Sequence, residues 1–415
     1  MKMRRRIALW ATLLLLATNS QAISIKTDRT WYLAGEQMTV SLAADDALIA
    51  YVELCDTRQL AAGAVVTLHE GQATATIELP ATLHSGYYLL AAYTRHDRQV
   101  AQQLVAVVNV FTKSADDDIH WQPVTHPDSL SRPQATGNAD LAPRNGQKAA
   151  DRRETEGHFI LARIHNSSGG HTYQAGQIRP MLSIVGPKIQ HFEGAMLNDS
   201  TALFSVYAIH GRQPLVLSAT TDGGTTLPIQ LLSPFATLLP RSLPHLRFHY
   251  QRAEVETRSL AMQRHQHALA TAETTQQATD SLAYDPRLFG TEPTITYNLD
   301  EYRQFLTVRE VLTEYVTSVE KHKIHGVPRL SVLRDQTGSE AQRHTLVLID
   351  GVPVNDTEQL LRYDARRLHY INVYDGQYTF GHGVYDGVIS FVTRSGRLTN
   401  YPTERNTQYV VYQFP

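Results

Sequence analysis

Short runs in which apolar and polar residues alternate recur through the first hundred positions of this chain. Met38-Thr-Val-Ser-Leu42, Ile49-Ala-Tyr-Val-Glu-Leu54 and Ala73-Thr-Ala-Thr-Ile-Glu-Leu79 are the clearest. A period of two sends successive side chains to opposite faces, so such runs are strands with one buried face. Turn residues punctuate them at Ala34-Gly35, Glu70-Gly71 and Ser85-Gly86. A strand roughly every ten residues predicts a β-sandwich over residues 23–112.

The composition bounds the remainder. The chain has 415 residues, 42% apolar and 19% charged, which is ordinary for globular domains and excludes wholesale disorder, collagen and a polytopic membrane protein. At about 100–200 residues per domain, two to four domains fit. A formal charge of −2 argues against nucleic acid as the main partner, since neutralising phosphates needs a basic excess. Cys55 is the single cysteine, so neither an intramolecular disulfide nor a multi-thiolate zinc site is open to the chain. It reads as a small buried hydrophobe on a strand.

Residues 1–22 read as a secretory signal peptide. Lys2, Arg4, Arg5 and Arg6 form a positive start, Ile7 to Ala17 an apolar run too short to span a bilayer, and Ser20-Gln21-Ala22 a small-residue cleavage site. Residue 23 is Ile, so a lipid-anchored reading fails. Cleavage removes four positive charges and leaves 34 basic against 40 acidic side chains, a net charge of −6. The expected location is exported: periplasmic or outer-membrane-associated, not a lipoprotein, with no transmembrane segment in the mature chain.

The expected fold class is mainly β: two β-sandwich domains followed by a small α+β domain. Residues 113–157 lose all periodicity and read as a flexible linker. Residues 158–249 return to strands such as His158–Ile164 and Leu215–Ala219, with a hairpin turn at Asp222-Gly223-Gly224. Residues 250–290 carry one amphipathic helix, with Val255, Met262 and Leu269 as a thin apolar stripe, and a connector. Residues 291–398 mix a helical pattern from Val308 to Val319, short strands at Leu330–Leu333, Leu346–Ile349, Leu368–Tyr374 and Val388–Thr393, and a brief helix at Thr357–Leu361. Residues 399–415 form a tail whose Tyr409-Val-Val-Tyr-Gln-Phe414 alternates and can add a strand to a partner's sheet or to the chain's own.

Two stretches carry a family resemblance. Thr27-Asp-Arg-Thr-Trp-Tyr-Leu-Ala-Gly-Glu36 with Leu83-His-Ser-Gly-Tyr-Tyr-Leu-Leu-Ala-Ala-Tyr-Thr94 resembles the macroglobulin-type β-sandwich of bacterial α2-macroglobulins and of many exported Bacteroidetes proteins. The thioester motif of macroglobulins is missing, because Cys55 is followed by Asp-Thr-Arg, so covalent capture is not implied. Leu346-Val-Leu-Ile-Asp-Gly-Val-Pro-Val354, Ile371-Asn-Val-Tyr374 and Tyr385-Asp-Gly-Val-Ile-Ser-Phe-Val-Thr-Arg-Ser-Gly396 resemble the plug domain of TonB-dependent outer-membrane receptors. The resemblance implies a plug-type fold with Asp350, Gly351, Pro353, Tyr385, Gly387 and Gly396 as its structural or interaction motif. It does not imply transport, since only 19 residues follow Gly396 and a barrel needs many more strands.

No convergent catalytic set stands out. His322 and His325 are flanked by Lys321 and Lys323, which disfavour a cation, and His265 and His267 point to different helix faces. No zinc-protease, nucleophile-elbow or phosphate-loop motif is present, so no catalytic residue, metal or cofactor is expected. Eight of the 20 tyrosines follow residue 360, and Tyr374, Tyr378 and the turn residue His382 form a candidate binding surface. Asp128-Ser129-Leu130 and Asp280-Ser281-Leu282 resemble a Bacteroidetes O-glycosylation pattern. The leading expectation is a non-enzymatic cell-envelope interaction or scaffold protein whose partner is a protein, with an outer-membrane protein among the candidates, or a glycan. One alternative is an accessory subunit docking a separate barrel through the plug-like domain. Another is a glycan- or peptide-processing enzyme with an inter-domain site.

Overall fold

The computed structural model describes residues 23–45, 47–96, 100–112, 118–121, 131–144, 154–155, 157–186, 188–279, 288, 290–324, 326–333, 344–396 and 404–415, with backbone only at 121 and 272–279. The expected leader, both candidate glycosylation motifs, Tyr401 and His325 lie outside the described residues. The chain is mainly β, as expected.

The first sandwich follows the alternation. Strands β1 (Ser24–Thr27), β3 (Gln37–Ala43) and β6 (Gln72–Glu78) form one sheet. Facing it is the sheet β2-β8-β7-β4-β5, built from β2 (Trp31–Leu33), β4 (Ile49–Cys55), β5 (Leu60–Thr67), β7 (Gly86–Tyr93) and β8 (Ala101–Val108). In β3 the inward positions Met38, Val40 and Leu42 are buried, and their neighbours Gln37, Ser41 and Ala43 are exposed. In β4 every residue is buried, so one-sided burial fails there. The outer face of β4 is covered by Phe235, Ala236 and Leu238, which pack on Ile49, Tyr51 and Tyr93. Glu53 on that strand accepts hydrogen bonds from the backbone N–H groups of Thr237 (2.8 Å) and Leu238 (3.1 Å).

The stretch expected as a linker contributes three strands: β9 (Asp118–Trp121), β10 (Arg132–Thr136) and β11 (Asp140–Pro143). This corrects the wholly flexible reading. In the second sandwich, β12 (His158–Ile164) is followed by a small hairpin of β13 (Ser167–Ser168) and β14 (His171–Thr172). Then come β15 (Ile178–Ile184), β16 (Gln190–Glu193), β17 (Ala195–Asn198), β18 (Thr201–Val206), β19 (Gly211–Thr221) and β20 (Ile229–Leu231). Strands β21 (Pro240–Ser242) and β22 (His245–Tyr250) leave it and run over the first sandwich. There β22 is flanked by β10 and β9, while β21 pairs β11. The described residues of β10 are exposed or half-exposed, so no buried face imposes a periodicity; its pairing comes from β22.

Helix α1 (Arg252–Thr279) packs through its first turns. Val255 joins Trp31, Leu33, Val108 and Phe248 in one cluster. The Arg258 guanidinium lies 3.7 Å from the Trp31 ring centre and pairs with Glu36 at 2.5 Å. Leu269, the last residue of the expected stripe, is 38% exposed, so the stripe seats the start of the helix and not its described later part.

The C-terminal α+β module has a five-stranded sheet ordered β23-β28-β31-β26-β27. Its elements are β23 (Ile295–Asn298), α2 (Val308–Glu314), β24 (Val319–Ile324), β25 (Val327–Val332), β26 (Leu346–Ile349), β27 (Val352–Pro353), α3 (Thr357–Leu361), β28 (Leu368–Tyr374), β29 (Tyr378–Phe380), β30 (Gly383–Tyr385) and β31 (Val388–Thr393). The helical run expected through Val319 stops at Glu314. The capping box of Thr307 and Glu310 starts α2, and after Tyr315 a short turn at Thr317 and Ser318 leads into β24 at Val319.

The tail folds back. Strand β32 (Gln408–Phe414) pairs antiparallel with β19 from Gly211↔Phe414 to Leu217↔Gln408. The second sandwich is therefore β17-β18-β12-β20 facing β16-β15-β19-β32, and the α+β module is inserted between its strands. Tyr412 and Phe414 point into that core, while Tyr409 and Val411 face out. Phe414→Ala is expected to lower stability by about 3 kcal/mol or more in denaturant unfolding. Val411→Ala should stay within about 0.5 kcal/mol. Equal losses, or rapid protease trimming of the tail, would contradict this docking.

Candidate functional site

The polar groups with the most enclosed geometry lie where modules meet. On β15 and β16 of the second sandwich, Arg179 holds Glu193 through two hydrogen bonds of 3.2 and 2.8 Å. Tyr385 of β30, in the α+β module, donates its hydroxyl to Glu193 at 2.5 Å. The Arg179 guanidinium lies 5.4 Å from the Tyr385 ring centre. His191 sits 2.8 Å from the Ser183 hydroxyl through Nδ1 and 3.3 Å from the Tyr385 hydroxyl through Nε2.

Enclosure sets the protonation of this node. Burial first, then the nearby Arg179 charge, pushes the His191 imidazole down to about 3, so it is neutral at pH 7. Burial and the neighbouring Glu193 hold the Tyr385 phenol well above its ordinary range, so it remains a donor. The backbone of β16 takes part as well. The His382 N–H donates to the Glu193 carbonyl at 3.0 Å, and a Cβ at Gly383 would stand 2.4 Å from the Glu193 carboxylate.

A second node ties the first sandwich to both the second and the tail. Tyr51 of β4 donates to Glu154 at 2.7 Å, Glu154 accepts from the Phe159 N–H at 2.7 Å, and His158 Nε2 lies 2.6 Å from the Tyr412 hydroxyl. Arg95 lies over the Tyr51 ring and donates to the Phe159 carbonyl at 3.1 Å. Burial is the main cause of the lowered pKa of His158. The second node is buried, the first is half-buried at Arg179 and Glu193, and in both the polar groups pair with one another, so their chemistry is that of fixing module positions.

The expected site residues are now placed. Asp350 and Gly351 form a two-residue hairpin turn with φ of 46° and 84°, the conformation that favours Asp-Gly. The Asp350 carboxylate is buried and accepts from the backbone N–H (2.8 Å) and hydroxyl (2.5 Å) of Thr393, latching β26 to β31. A Cβ at Gly351 would meet Ile189 of the second sandwich at 2.8 Å, so this turn is part of the inter-module contact. Pro353 ends the edge strand β27, where a missing N–H is tolerated. Gly387 lies against Val332, and Gly396 closes a turn on the Thr393 carbonyl.

The candidate binding surface is corrected. Tyr374 is 2% exposed, and its hydroxyl accepts from the Leu288 N–H. Tyr378 stacks on Phe380 beside it, and both pack with Ile189, Leu346 and Tyr385. These tyrosines bind the chain's own second sandwich. The His382 side chain is exposed and its backbone is the bonded part. Of the expected histidine pair, His322 lies on a strand and meets Ser331 at 3.0 Å. Among the described residues no three His, Cys, Asp or Glu side chains are placed to hold a metal ion, and no helix is long and apolar enough to cross a membrane.

Arg179, His191, Glu193, Glu154 and His158 carried no signal in the sequence. Tyr385 and Glu193 are 192 positions apart, and no local spacing links them. Between the second sandwich and the α+β module also lies a cleft of about 140 Å3, bordered by Arg179, Asp222, Gly224, His322, Arg329, His344 and Asn355 among others.

No protein-family model matches the chain, and no curated protein does. Among solved structures, it is similar to elastase-activated Escherichia coli alpha-2-macroglobulin at 11% identity and a TM-score of 0.20, covering 55% of this chain and 20% of that one. For a Salmonella alpha-2-macroglobulin mutant the figures are 11%, 0.19, 56% and 15%. For the BSP domain of a biofilm-associated protein they are 10%, 0.18, 52% and 30%. This chain thus spans less than a third of each of those proteins, and likenesses at this level do not bear on function.

Tyr385→Phe removes a buried donor and leaves Glu193 short of a partner; a loss of about 1–3 kcal/mol in denaturant unfolding is expected. Acid sensitivity follows from His191. Its pKa falls from 6.5 to about 3 on folding, so between those values the unfolded chain holds the extra proton and stability drops as pH falls. Glu53 acts oppositely: raised by burial from 4.5 to about 7, it makes stability drop as pH rises through that window. His191→Gln is expected to flatten the acid limb of unfolding midpoints plotted against pH, and Glu53→Gln the limb between 4.5 and 7. Unchanged limbs would contradict these assignments.

Proposed function

We propose that this protein is an exported, non-enzymatic scaffold of the cell envelope that presents its joined modules as one surface to a protein partner. The observation that carries the reading is the Tyr51–Glu154–His158–Tyr412 node, in which two modules and the chain's own tail hold one another through buried polar groups. Polar side chains committed to fixing the positions of modules suit a protein whose product is geometry. The basic start and small-residue cleavage site of residues 1–22 support export. The macroglobulin-type motif around Gly86 and the plug-type motif from Leu346 to Gly396 support placement in the periplasm or at the outer membrane.

The test is made in the producing cell. Envelope fractionation and N-terminal sequencing are expected to find the chain beginning at Ile23 in the envelope. A photo-crosslinker placed at the exposed positions Leu306 or Val384 is expected to capture a single defined protein. A partner that is an outer-membrane barrel would narrow the reading to an accessory subunit. An uncleaved chain in the cytoplasm would overturn export, and turnover of peptide or glycan by the purified chain would overturn the non-enzymatic reading.

A further inference from the structure

The cleft between the second sandwich and the α+β module carries groups that neither polar node uses. Arg329 and His322 face each other across the β24–β25 hairpin, which places both at its edge. From there the Arg329 guanidinium reaches to the turn after β19, where a Cβ on Gly224 would stand 2.2 Å from Nη2. Arg329 is partly buried, and among the described residues it has no ion-pair or hydrogen-bond partner. Burial alone lowers its pKa, with no anion offsetting it. A partly desolvated guanidinium with no anion beside it is one that a bound oxyanion would stabilise.

Arg179 and His344 also border the cleft, Arg179 already paired with Glu193 and His344 held below its ordinary pKa by burial, and Asp222 is the single carboxylate among the bordering residues. Asn355 is 8% exposed, and its amide nitrogen has no hydrogen-bond partner. Arg329 and Asn355 thus border one cavity, the amide nitrogen of Asn355 buried behind its wall. Its volume of about 140 Å3 gives room for a small anion and not for a folded chain.

We propose that this cleft is a binding site for a small oxyanion, a carboxylate or a phosphate group, anchored by the Arg329 guanidinium and bordered by Asn355 and His344. The site is separate from the scaffold reading and does not depend on it.

The experiment titrates the full mature chain with inorganic phosphate and, separately, with acetate by calorimetry. Saturable binding of at least one probe is expected, and the stronger of the two identifies the oxyanion. Arg329→Gln is expected to weaken it about tenfold or more, as loss of a charge-assisted hydrogen-bonded pair does. The same variant should melt no lower than the parent, because it removes an unpaired charge. Arg58→Gln, exposed on the first sandwich, is expected to bind like the parent. Should the glutamine variant fail to fold, Arg329→Lys keeps the charge without the fork and should still weaken binding. Failure of both probes to saturate overturns the proposal, as does equal loss in Arg58→Gln or unchanged affinity in both Arg329 variants.

Discussion

The pairing of β32 with β19 is the constraint on which the rest of the architecture depends. It returns the last residues of the chain to the second sandwich and makes the α+β module an insertion between strands of one core. The elements on either side of that module are thereby anchored, β22 and the start of α1 on the first sandwich and β32 on the second. Without that return, the face of the second sandwich that Tyr412 and Phe414 fill would be open to water. Hydrophobic burial of this kind scales with area, and two buried aromatics contribute a large share of the stability of a small core.

Around this frame, buried polar groups select one arrangement of modules. An apolar contact alone permits sliding, because area burial has no direction. Tyr385 on Glu193, and Tyr51 on Glu154, have directions and fixed lengths. Removing polar groups from water is unfavourable unless every partner is in place, so a shifted module would part the Tyr385 hydroxyl from Glu193. Complementary space enforces the same register: Gly351 against Ile189 and Gly383 against Glu193 leave no room for a side chain.

Much of the secondary structure was legible. Strands β3, β6, β28 and β31 coincide with alternating or apolar runs, α3 spans the expected Thr357–Leu361, and Asp350-Gly351 forms the tight turn its residue types favour. The failures share one cause. Strand β10 has no alternation because neither face is buried, and β4 has a glutamate in a fully buried position because a distant loop supplies two N–H groups. Tyr374 and Tyr378 suggested a surface for a partner, and what they pack on is the chain itself, at Ile189.

The β class, the positions of most strands and the absence of an intramolecular disulfide follow from local periodicity or from the count of one residue type, and so were readable along the chain. Which modules touch, where the tail docks, and which polar side chains become a node or a latch depend on contacts between distant segments and came from the folded arrangement. Periodicity says which face of a strand is buried; it says nothing about what buries it. Arg179, Glu193 and Tyr385, and likewise Arg329 and Gly224, meet only because sheets far apart in the chain are brought edge to edge. Their chemistry exists only in that juxtaposition.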